Sequence, residues 1–150
     1  QNLYPFTPVG NKSFFFTPLL TFSMLFAFIF LLGFAKKKFI QASLLGFDGL
    51  FFFLTGMLGI ILILMWTATD HPMCRNNFNL LWAWPTHAVI AFFVSSKKNW
   101  VKKYFSFTAI ALSLVLISWF FLPQQMNNGL IPLVLLLIYR SALKGFVANR

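Results

Sequence analysis

The sequence predicts an all-α, polytopic helical membrane protein with about five transmembrane helices. Three observations carry that prediction. Charged residues make up only 9% of the 150 residues and the mean hydropathy is +0.80, against about 25% charge in soluble domains. The apolar residues fall into runs of about 18 or more, the length that crosses a bilayer as helix. The basic residues sit at the ends of those runs, where the positive-inside rule places them. A formal net charge of +10 suggests nucleic acid at first. The lysines form no polar face, however, so a nucleic-acid partner is excluded and a membrane is not.

Residues 1–16 carry Pro5, Pro8 and Gly10 and read as an irregular linker entering the bilayer from something upstream. The first span is expected over 17–35, with Thr17 as cap, Pro18 in the first turn, and Lys36, Lys37 and Lys38 closing it. Residues 39–47 read as a short connection. The second span is expected over 48–68, with Asp48 at its start, stabilised by the helix dipole. Gly49, Gly56 and Gly59 are helix-packing candidates on this span, because small residues let helices approach closely in lipid. The third span, 80–94, contains Pro85. The proline removes one backbone donor and leaves a carbonyl in need of another partner, for which His87 is the nearest candidate. The fourth and fifth spans are expected over 105–122 and 130–146.

Counting charges orients the chain. Lys36, Lys37, Lys38, Lys97, Lys98, Lys102, Lys103, Arg140, Lys144 and Arg150 fall on one side, ten of the twelve basic residues. That bias puts the N-terminus outside, the C-terminus in the cytoplasm and residues 69–79 outside.

Residues 69–79 concentrate the reactive side chains: Asp70, His71, the single Cys74, and Arg75. A nucleophile–base reading is disfavoured, because such groups are usually drawn from distant segments. A polar cap at the membrane surface is the simpler reading, with Asp70, His71 and Arg75 as candidate contacts to lipid head groups. His71 and His87 lack the spacing of a haem or metal motif, so neither a metal nor a cofactor is assigned. Arg140 lies inside the fifth span, where a charge is costly. Snorkelling to the cytoplasmic side is one reading, and a lipid head-group contact between helices is the other.

The stretch from Phe47 to His87 includes Gly56, Gly59, the Asp70–His71 pair, Asn76 to Asn79, and Leu81-Trp82-Ala83-Trp84-Pro85. It resembles the C-terminal transmembrane domain of bacterial lipoprotein N-acyltransferases of the Lnb type. The resemblance covers about residues 17–103 and weakens afterwards. It implies a multi-pass domain of the bacterial inner membrane, with residues 1–16 as a periplasmic linker. It further implies that an upstream periplasmic domain carries the catalytic cysteine and histidine, and that acyl groups pass from membrane phospholipid to a lipoprotein substrate. No position here matches those catalytic residues, and the chain alone is expected to be an anchor. The rival expectation is a small accessory subunit among other membrane subunits of a respiratory or secretion complex. The native polypeptide's mass, against the 17.3 kDa of this chain, separates the two.

Overall fold

A computed structural model describes residues 17–68 and 77–147. These residues are helical throughout their ordered elements, with no strands among them. Helix α1, Pro18–Leu32, starts as its sequence expects: the Thr17 side chain accepts from the Leu20 N–H at 3.4 Å, and Pro18 occupies the first turn. Helix α2, Lys38–Ala68, has 31 residues, about 46 Å of rise. It starts ten residues before the expected boundary, so residues 39–47 are helix and not a connection. Their polar members do not break it. Ser43 donates its hydroxyl to the Phe39 carbonyl one turn back, at 3.0 Å.

The third apolar segment, Phe78–Phe93, is not one continuous helix. A 3-10 turn, Phe78–Leu81, is followed by the short helix α3, Thr86–Ile90, and a second 3-10 turn, Ala91–Phe93. Pro85 is the cause. It cannot donate to the Leu81 carbonyl four residues earlier. The Trp84 indole N–H donates to that carbonyl instead, at 2.8 Å. The expected role of His87 is therefore filled by Trp84. Helix α4, Asn99–Ser118, continues through a 3-10 turn to Phe121. Helix α5, Ile131–Ala142, ends in a π-helical turn, Leu143–Val147.

Among the described residues, three helical segments are long and apolar enough to cross a membrane: Lys38–Ala68, Asn99–Phe121 and Asn128–Val147. Pro18–Leu32 and Phe78–Phe93 are shorter apolar helices. The chain is thus a helical membrane domain. Helix α5 packs against α1 and α4, while α2 packs against the broken third segment. Gly56 and Gly59 make that second packing possible. A Cβ on Gly56 would run into the Ala88 backbone, and one on Gly59 into the Ala83 carbonyl. Gly49 sits more loosely, its nearest neighbours being the Ala91 carbonyl and Val94 at ordinary contact distance.

The segments run up and down, so their basic ends gather together. Gly49 meets Val94, Gly145 backs onto Ser106, and Gly33 meets Tyr139 at one end. At the other end, Gly129 meets Pro18, and the Phe78 N–H donates to the Gln124 side chain at 2.8 Å. The core between them is aromatic and aliphatic, centred on Phe52, Trp82, Phe105, Leu112, Leu136 and Leu137. Many of the large apolar side chains on the outer faces are exposed, among them Phe92, Phe107, Ile117 and Phe121, which lipid would cover.

Candidate functional site

Asp48 is fully buried, at 0% exposure, in the interior of α2. Its carboxylate receives a two-pronged contact from Arg140 on α5. Arg140 Nε donates to Oδ1 at 2.6 Å and an Nη donates to Oδ2 at 2.8 Å. Lys144 Nζ lies 2.8 Å from the same Oδ2 and also donates to the Val94 carbonyl at 3.1 Å. Arg140 and Lys144 are four residues apart, one helical turn, so both reach the same acid. Lys144 lies in the π-helical turn Leu143–Val147, and Gly145 lets that turn lie directly on Ser106 of α4.

This geometry replaces two expectations. Asp48 is not a helix cap, because α2 begins at Lys38 and the acid falls well inside it. Arg140 neither snorkels nor faces a lipid head group, since Asp48 takes its Nε and an Nη donor. A paired, bidentate arrangement is the favourable way to bury a guanidinium and a carboxylate. One carboxylate against two cations leaves the cluster with one excess positive charge. Lys144 Nζ also lies 5.9 Å from the centre of the Phe105 ring, a weak cation–π contact.

A second polar cluster lies between the third segment and α4. His87 is fully buried, and its Nδ1 is 2.6 Å from the Tyr104 hydroxyl. The same hydroxyl lies 2.9 Å from Thr86 Oγ1. The imidazole stacks on Trp84 and meets Phe52 edge to face, with centroids 5.3 and 5.5 Å apart. Rings thus enclose the imidazole on two sides, and the tyrosine fixes its rotation. Sequence reasoning missed Tyr104 entirely. Seventeen residues separate it from His87, across a connection of unknown geometry, and only the packing of α4 brings them together.

The head-group candidates Asp70, His71 and Arg75 lie outside the described residues, as does Cys74. The Asn77 side chain accepts from the Asn79 N–H at 3.0 Å. Asn79 in turn accepts from the Trp82 indole at 3.0 Å. Beside this turn an apolar cleft of about 440 Å³ is lined by Trp66, Asn77, Phe78, Leu80, Leu81 and Pro123. Among the described residues, no group of three His, Cys, Asp or Glu is placed to hold a metal ion.

Compared with known families, residues 10–150 match the family model described as "Lnb transmembrane domain". The match does not fade after Lys103, as the resemblance read from the sequence does, but runs on through the last two helices. No curated protein and no solved structure matches the chain.

Proposed function

Since the chain belongs to the Lnb transmembrane domain family, we propose that it is the membrane-anchoring domain of a bacterial lipoprotein N-acyltransferase of the inner membrane. In this reading an upstream periplasmic domain performs the acyl transfer. The helical domain holds it where phospholipid donor and lipoprotein acceptor both reside. Confinement of enzyme and substrates to one surface replaces a search through solution, so the contribution is proximity and orientation. The observation that carries the proposal is the family match over residues 10–150.

Orientation belongs to the same proposal. Basic residues gather at one end of the bundle, and that end faces the cytoplasm by the positive-inside rule. All five segments then cross the membrane, with the N-terminus and residues 69–79 on the periplasmic side. The apolar cleft beside Trp66 and Pro123 would open toward the periplasmic leaflet, next to the catalytic domain. The buried Asp48–Arg140 pair keeps α2 and α5 in register and makes the anchor a rigid platform.

Deleting residues 17–150 from the native protein while exporting the upstream part in soluble form tests this. Lipoprotein acylation in cells is expected to be lost, and full acylation by the soluble form would overturn the anchoring role. A native polypeptide that proves to be 17.3 kDa and copurifies with fixed partners would identify an accessory subunit instead.

A further inference from the structure

The basic end of the bundle holds a cavity of about 420 Å³ between the turn after the third segment, the first turns of α4 and the end of α5. Lys97, Lys102 and Lys144 line it together with Ser96, and Leu45 and Phe105 supply apolar wall. The charge on this wall is unbalanced. The sequence has two acidic side chains, Asp48 and Asp70. Asp48 already serves Arg140 and Lys144, and Asp70 follows the opposite end of α2 in the sequence. The Lys97 and Lys102 side chains take part in no hydrogen bond or ion pair among the described residues, and these 150 residues offer them no further carboxylate side chain. Two ammonium groups without a counter-charge, beside a third that shares Asp48 with Arg140, leave this half-enclosed space net positive and suited to an added anion.

The surroundings say which anion. The cavity opens on the flank of an apolar bundle, and Leu45 on its rim is 36% exposed, continuous with a face that lipid tails would cover. A ligand with an anionic head and an apolar body fits both walls. We propose that this cavity binds the phosphate of an anionic phospholipid, held by Lys97, Lys102 and Lys144, with an acyl chain along Leu45. Basic pockets between helices at the membrane surface suit such head groups. The Ser96 hydroxyl accepts from the Lys98 N–H at 3.3 Å and keeps its own proton to donate to a phosphate oxygen. The site lies at the opposite end from the cleft beside Trp66. It is thus a lipid site distinct from any place where an acyl donor would meet a periplasmic domain. It rests on the membrane assignment alone and stands whether or not the acyltransferase reading does.

The test is native mass spectrometry of the full native protein released from nanodiscs of phosphatidylglycerol or of phosphatidylethanolamine. Retained phosphatidylglycerol is expected to exceed phosphatidylethanolamine about tenfold, and the K97Q/K102Q pair is expected to remove that preference. The K36Q/K37Q pair, at the same end of the bundle but off the cavity, is expected to keep it. Equal retention of the two lipids by the unaltered protein would overturn the proposal. So would an equal loss in K36Q/K37Q, which would mean diffuse surface charge. Displacement of the lipid by inorganic phosphate would also overturn it, by showing a site for a soluble anion.

Discussion

Asp48 accepts hydrogen bonds from a guanidinium on α5 while wholly shielded from solvent, so its removal strands the cations rather than merely deleting a contact. Asp48→Asn is expected to destabilise the protein by about 3–5 kcal/mol, the usual cost of breaking a buried pair from one side. Unfolding in detergent micelles would read this. Removing both charges with D48N/R140M should recover part of the loss, because only one of the two cations, Lys144, which also donates to the Val94 carbonyl, is then left without the carboxylate. If D48N/R140M is no better than D48N, the two residues are not coupled. The Tyr104–His87 contact is a different case, a neutral hydrogen bond within the bundle. Tyr104→Phe is expected to cost only about 0.6 kcal/mol, and at most about 1.7 kcal/mol, with the fold retained by circular dichroism. The Asp48–Arg140 pair was partly legible. A charge inside a span requires a partner, and the sequence offers two acids, of which Asp48 is the one that the charge count puts at the same end as Arg140. What hid it was reading the start of the apolar run as the start of the helix, which put Asp48 at a terminus.

Besides the Phe52–His87 ring contact, α2 and α3 approach each other backbone to backbone, and two glycines decide how close they come. Gly56→Ala and Gly59→Ala each place a methyl against main-chain atoms of the third segment, which cannot rotate away. Each is expected to cost about 1–3 kcal/mol or more by overpacking. Gly49→Ala meets only ordinary contacts, and Gly46→Ala has open space. Both should be neutral or slightly stabilising through higher helix propensity. Thermal unfolding of the four variants checks the contrast, and equal losses at all four positions would contradict the packing. That α2 carries packing glycines is visible in the sequence from their spacing. Which of them is tight is not, because that depends on Pro85. The proline breaks the third segment into short turns, and the break brings Ala83 and Ala88 onto α2 as bare backbone. The break itself was legible as a proline within an apolar run. The partner of the freed carbonyl was not, since Trp84 and His87 are both polar, nearby and sterically plausible.

At the scale of the whole molecule, the basic side chains among the described residues gather at one end of the bundle, and in the proposed orientation that end faces the cytoplasm. The contacts of Lys144 with Val94 and of Gly145 with Ser106 fix the ends of α5, the third segment and α4 side by side, so the lysines around them must lie in one leaflet. Each is worth about 1 kcal/mol at an anionic membrane surface. Several acting together outweigh the lone Arg75 in the connection at the other end. These 150 residues contain one cysteine, Cys74, in that other connection, so the orientation is measurable once any cysteines of an upstream domain are replaced. A membrane-impermeant maleimide added to intact spheroplasts is expected to label the protein at Cys74. In the C74S/K97C variant, labelling is expected only after the membrane is opened. Labelling of C74S/K97C in intact spheroplasts, with Cys74 of the unaltered protein left unlabelled, would invert the domain and place the apolar cleft in the cytoplasmic leaflet. A periplasmic catalytic domain would then have nothing to dock beside, and the anchoring role would fail with the orientation. The anionic lipid site would survive, because it depends on the clustering of Lys97, Lys102 and Lys144 and not on the side they face.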